Sequence, residues 1–314
     1  MMSLSATSEE EACAVGGSIR AVAVKAEASA VRRWGHSATV VRRSLGRWSV
    51  LLFGGYGVVK DGGAARRLED ATVIDVQCDD GTLVLAAPRA VATGPRGREK
   101  HAACLRGSEV LVFFGRRSPK EPLGDAWAFA FAFASGGDDE GAWREVRADG
   151  PWPSPRWSHA VEAVGSDVII VGGRDQFGPL RDSAFVLRRN NKNATWSRLE
   201  TPGLAVYGHA LVPSPEGDLL ILGGIGDVPS ERVSLLRSEA EEERTAAKGE
   251  NNVIQRGVDL GSSSSKKKRR RRRRFAHAAA RLDDHRIVVV GGVPVDDDDD
   301  EGDDDLGYVI VDGA

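Results

Sequence analysis

Five short apolar runs punctuate the chain, each closing on glycine: SVLLFGG to Gly55, EVLVFFG to Gly115, DVIIVGG to Gly173, DLLILGG to Gly224 and RIVVVGG to Gly292. Runs of this length, apolar without alternation, predict strands buried on both faces. Ahead of each run lies a segment of small apolar residues opened by a histidine: SATVV, HAACL, SHAVEAV, HALV and HAAARL. Behind each lies a more mixed β-like segment: ATVIDV, DAWAFAF, SAFVL, VSLL and YVIV. A fourth segment carries tryptophan in two places, AWREV at Trp143 and TWSRL at Trp196. The chain therefore predicts one four-stranded antiparallel unit, used repeatedly.

The repeat is anchored by single residues. Its histidines are His36, His101, His159, His209 and His277, spaced 65, 58, 50 and 68 residues apart. An arginine stands three positions before four of them, at Arg33, Arg98, Arg156 and Arg274, whereas the fourth copy has Val206. The glycine pairs are Gly54 and Gly55, Gly172 and Gly173, Gly223 and Gly224, and Gly291 and Gly292; the second copy puts Phe114 before Gly115. Residues without a Cβ suit tight turns and close backbone approach. A lone sheet of this kind cannot cover both faces, but a ring of such sheets can, and it leaves only short edges. The expected fold is all-β, a propeller of five four-stranded blades, or six if an insertion hides a degenerate copy. Ser18–Ala26 is expected to supply the last blade's missing fourth strand and close the ring, with Arg20–Lys25 against Gly307–Val311. Residues 1–17 are expected to be a disordered terminus and 18–314 a single propeller, with disordered insertions at about 238–273 and 296–305.

The pattern R-x-x-H, apolar run, glycine pair resembles kelch repeats, whose units run to roughly 50 residues. A narrower resemblance lies in GREKHAACLRGSEVLVFFGRRSPKEPL, and there chiefly in Arg98–Leu123. That stretch, with its G-R-x-S-P-x-x-P-L loop, is similar to the kelch region of tRNA wybutosine-synthesizing proteins, a leucine-carboxyl-methyltransferase-like family. The resemblance implies a propeller working beside enzymes on tRNA. It does not bring their catalytic domain, because no G-x-G-x-x-G opens a helix here, and an enzyme is expected only if the chain is part of a longer methyltransferase. The competing expectation is an adaptor that presents a client protein, as kelch proteins do for ubiquitin ligases, although no BTB or F-box sequence is present.

Composition changes this picture little. The net charge of −3 points to no partner, yet it averages a basic run, Lys266–Arg274, against acidic ones at Asp296–Asp300 and Asp303–Asp305. Such runs are ordinarily solvated insertions; the basic one also reads as a nuclear import signal or a nucleic-acid contact. No apolar run is long enough to span a bilayer, and no secretory signal opens the chain. Cytoplasmic residence is expected, with nuclear entry through Lys266–Arg274. Cys13, Cys78 and Cys104 lie far apart, in neither a disulfide nor a zinc pattern.

No catalytic residue, cofactor or metal site is expected. Ligands must converge on one point, whereas repeat-equivalent histidines spread around a ring, so each histidine and its arginine are expected to bond turn backbone within a blade. His285, in a turn, is expected to be exposed. The candidate site is a binding face. The loops before first strands and after second strands share one face of the disc, which would carry Arg116, Arg117, Lys120, Arg32, Lys100 and Arg174. The expected partners are a protein, in particular a tRNA-modifying enzyme, and tRNA itself, with no membrane.

Overall fold

The computed structural model describes residues 33–58, 63–79, 82–91, 94–131, 141–182, 184–189, 193–199, 201, 203–213, 219–226, 235–236, 274–281, 286–294 and 309–312. The expected closing strand, the basic run up to Arg273, both acidic runs and His285 lie outside them. The described residues are strands and turns, and they fall into two compact units, residues 1–99 with 130–143 and residues 100–129 with 144–314. Among them no helix is long and apolar enough to cross a membrane.

Each repeat copy forms its own antiparallel sheet, in the expected strand order. In the first unit, Ser37–Ser44 pairs Arg47–Phe53, which pairs Ala71–Asp79, which pairs Thr82–Leu85. In the second unit the third copy gives the fullest example: Ala160–Val164, Asp167–Val171, Ala184–Arg189 and Ala194–Leu199. The second copy runs Ala102–Arg106, Glu109–Phe113, Ala126–Ala130 and Ala142–Glu145. The fourth and fifth copies show three strands each, ending in Leu235–Leu236 and Val309–Asp312. The first strands of copies two to five lie next to one another in chain order.

Why the apolar runs do not alternate is visible in the third copy. Val168 and Ile170 enter one core cluster with Phe113, Phe185, Leu187 and Trp196. Ile169 and Val171 enter another with Val186, Leu211, Leu219 and Ile221. Successive residues of a strand point to opposite faces, and here both faces meet a neighbouring sheet. Trp196, on the outer strand, packs edge-on against Phe113 of the preceding copy at 6.0 Å. Each such side chain contributes about 1.5–3 kcal/mol on burial. The fifth copy departs from this: its run is only half-buried and Val290 is exposed.

The glycine pair has two separate reasons, clearest at Gly172 and Gly173. A Cβ on Gly172 would stand 2.1 Å from the carbonyl oxygen of Val206, in the next copy. One on Gly173 would stand 2.9 Å from the Cβ of His159, the copy's own histidine. The Gly173 amide donates to the Val206 carbonyl (2.7 Å), and Gly115 does the same to Arg156 (2.9 Å). The pair thus couples one copy to the next as well as to its own first strand. Phe114 takes the first position of the pair at φ 55°, a conformation that costs a non-glycine residue about 1–2 kcal/mol.

The residue before each histidine is also left-handed: Lys100, Ser158 and Ala276 at φ 52–57°, and Gly35 and Gly208 at 65–68°. In the second unit these residues form a backbone chain. Ser158 donates to Lys100 (2.9 Å), Gly208 to Ser158 (2.8 Å) and Ala276 to Gly208 (2.7 Å).

The repeat arginine does bond its own turn. Arg156 donates to the Gly172 and Asp182 carbonyls and pairs with the Asp182 carboxylate at 3.0 Å. Arg33 does likewise with Gly54 and Asp70. Two of the histidines depart from the expectation: neither ring nitrogen of His159 or His209 meets a partner of hydrogen-bond geometry. They are packing residues against which the second glycine closes. Two smaller corrections concern sequence features. Cys78 is disulfide-bonded, while Cys104 is a free, buried thiol. Arg274, counted with the basic run, opens the strand Arg274–Arg281.

Candidate binding face

At the end of the sheets where the apolar runs finish, each of three copies adds a short ladder. The residue two before the histidine faces the residue after the glycine pair: Trp34 opposite Tyr56, Trp157 opposite Arg174, Tyr207 opposite Ile225. In the first unit this brings the Trp34 and Tyr56 rings to 5.4 Å and places Arg67 over Tyr56 at 5.2 Å. Arg67 also donates to Glu99, a fully buried carboxylate, at 2.8 Å.

In the second unit the ladder becomes an alternation of guanidinium and ring. Arg116, the residue after Gly115, lies over Trp157 at 5.2 Å. Arg174, the residue after Gly173, lies over the same ring at 5.7 Å and over Tyr207 at 4.8 Å. Trp157 is buried, whereas Arg116, Arg174 and Tyr207 are half-exposed. Stacking of this kind holds a guanidinium in place through its face. The Arg174 Nε donates to the Asp175 carbonyl at 3.2 Å, and among the described residues Arg174 makes no ion pair.

Beside Arg174 the chain makes a pinned turn. The Asp175 carboxylate accepts from the amides of Phe177 (2.8 Å) and Gly178 (3.1 Å), and the Asp175 amide donates to the Gly178 carbonyl. The turn holds Phe177 at 87% exposure.

Of the six face residues expected from sequence, Arg116 and Arg174 meet on Trp157. Arg117 and Lys120 sit on the hairpin Arg116–Ser118 with Glu121–Pro122, where Arg117 pairs with Glu121 at 3.1 Å, an exposed contact. Lys100 contributes its backbone to the chain of left-handed residues, and Arg32 lies outside the described residues. The sequence reading missed Trp157, Tyr207 and Phe177. The signal for the first two was present: the position two before the histidine is aromatic in four copies, at Trp34, Trp157, Tyr207 and Phe275. It missed as well the aspartates that answer Arg33 and Arg156, Asp70 and Asp182, each just ahead of or near the head of a third strand.

Burial disfavours the charged form of three of the repeat histidines. Burial pushes His209 down to about 3, helped by the charge of His277. Burial, then Arg156, His101 and His209, hold His159 well below the ordinary value, opposed by the Phe113 carbonyl. His36 is lowered by burial and by Arg33. On the first strand of the third copy, burial raises Glu162 to about 7. Among the described residues no three His, Cys, Asp or Glu side chains gather as a metal site.

The family model for the KLHDC2/KLHL20/DRC7 Kelch-repeats domain matches residues 35–242. The tRNA wybutosine-synthesizing protein 2/3/4 of Arabidopsis thaliana is 33% identical over 170 residues, 54% of this chain and 15% of that protein. Its namesake in Oryza sativa subsp. japonica is 30% identical over 146 residues, 46% of this chain and 12% of the relative. The Adagio-like protein 3 of Oryza sativa subsp. japonica is 29% identical over 236 residues, 71% of this chain and 34% of its own length. The chain thus spans only a minor part of each of these relatives. With the repeated sheet, the arginine clamp and the paired glycines in the same register, the chain belongs to the kelch-repeat family.

Proposed function

We propose that the chain is a non-catalytic binding scaffold of the tRNA wybutosine pathway, built as a five-bladed kelch propeller, and that its working face carries Arg116, Trp157, Arg174 and Tyr207. The observation that carries the reading is Arg174, a guanidinium set against two rings and left without an ion pair among the described residues. Such a group is ready for an anionic partner. Arginine forks suit phosphate, and an exposed ring such as Phe177 suits an unstacked base. The names of the Arabidopsis and rice relatives support tRNA as that partner. Loops on a rigid frame are where binding residues ordinarily sit.

A second reading, an adaptor that presents a client protein, is favoured by the exposed Phe177 alone, since aromatic anchors are common hot spots. A mobility-shift assay with tRNA at low salt separates the two. The parent protein should retain tRNA, and the triple change Arg116→Glu, Arg117→Glu, Lys120→Glu should weaken retention and flatten its salt dependence. Absence of binding by the parent at low salt removes the tRNA reading and leaves the adaptor.

A further inference from the structure

At the opposite end of the same sheets, three arginines gather on a single carboxylate. The antiparallel order places them there. Arg106 ends Ala102–Arg106, and Glu109 opens Glu109–Phe113 after a two-residue turn. Arg144 lies on the outer strand Ala142–Glu145, and Arg189 ends Ala184–Arg189 of the next copy. Arg144 takes both Glu109 oxygens, its Nη2 standing 2.7 Å from each. The others are left with the remainder: Arg189 Nη1 stands 3.5 Å from Glu109 Oε2, a long contact, and Arg106 Nη2 stands 3.8 Å away, beyond hydrogen-bond length. Three guanidinium groups against one carboxylate leave an excess of two positive charges (3 − 1 = 2).

Arg106 is the key to the cluster. Its side chain is 8% exposed, and its Nη1 is buried with no hydrogen-bond partner. Arginine does not shed its proton at ordinary pH, so a buried N–H without an acceptor is a standing cost rather than a group that can neutralise itself. Burial, and then the charge of Arg189, already weigh against its cation, with Glu109 opposing. Arg144 and Arg189 are half-exposed by contrast, so their forks can reach a group arriving from solvent while Arg106 waits beneath it.

We propose that Arg106, Arg144 and Arg189 form an anion site for a phosphate group. A doubly charged tetrahedral oxyanion cancels the excess charge, and its several acceptor oxygens can serve converging forks together. A single carboxylate cancels half as much. The site lies away from Arg116 and Arg174 and does not depend on the tRNA reading.

The test is isothermal titration of the full chain with inorganic phosphate and, separately, with O-phosphoserine, at an ionic strength held constant with chloride. One site per chain is expected. Arg106→Gln and Arg189→Gln should each weaken it at least about tenfold, close to 1.4 kcal/mol. Arg147→Gln, at a neighbouring solvent-exposed arginine, should leave it unchanged. Arg189 is exposed enough that its loss cannot be confused with misfolding. Equal affinities assign the free ion, and tighter binding of the phosphoserine assigns a phosphorylated carrier. No heat beyond the chloride control, or binding that survives both substitutions, overturns the proposal.

Discussion

His209 offers a sharp test of the buried histidines, through pH. Its folded-state value of about 3 lies far below the ordinary 6.5, so the unfolded chain binds a proton there that the native protein refuses. Stability must then fall as pH falls, starting near 6.5 and continuing towards 3. Between pH 7 and pH 5 the linkage integrates to about 2 kcal/mol for this one residue, at 1.36 kcal/mol per pH unit. Glu162 works in the other direction. Its folded value of about 7 against an ordinary 4.5 means that the native state holds the extra proton. Its contribution is present below 4.5 and lost as pH rises through 7, which is again about 2 kcal/mol between pH 5 and pH 7. Urea unfolding at the two pH values, with matched m-values, reads both. Relative to the parent, His209→Gln should lose about 2 kcal/mol less on going from pH 7 to pH 5, and Glu162→Gln about 2 kcal/mol more. If His209→Gln keeps the parental pH dependence, the histidine is not held neutral by burial and the reasoning fails.

Two further outcomes follow from the repeat itself. Gly173→Ala combines φ 100° with a 2.9 Å approach to the His159 Cβ, whereas Gly165→Ala has φ 61° and open space; chemical denaturation should show a loss above about 2 kcal/mol for the first and about 1 kcal/mol for the second. Arg156→Met leaves Asp182 facing its clamp without a cation and should cost about 2–4 kcal/mol in the same assay, the half-buried acid keeping it below the full penalty of a buried pair.

What was legible in the sequence was whatever a strand's period and a turn's stereochemistry force onto single residues. The apolar runs and the tryptophans at Trp143 and Trp196 land in the expected strands, and the glycine pairs follow their strands in three copies, whereas Gly291 and Gly292 lie inside the strand Arg286–Pro294. The left-handed residue before the histidine was not legible, since Lys100, Ser158 and Ala276 give no chemical sign of a strained backbone. The histidines misled for a related reason. A recurring imidazole suggests hydrogen bonding, but His159 and His209 recur for their shape against glycine. On the candidate face, charge was visible and stacking was not: Arg116 and Arg174 were read as loop cations, while Trp157 and Tyr207, which position them, sit inside the repeat motif. The Arg106 cluster was invisible because Arg106, Arg144 and Arg189 come from three separate strands across two copies, and only pairing brings them to Glu109.

The measurement that bears most directly on the working face is the salt dependence of tRNA affinity for the parent protein and for Arg174→Gln, a change that removes one cation and breaks no ion pair among the described residues. If Arg174 meets a phosphate, affinity at low salt should fall and the slope of log K against log salt should shrink by about 0.7–0.9, with Arg147→Gln behaving as the parent. An Arg174→Gln protein with the parental affinity and slope would contradict the account and move the binding site off this face.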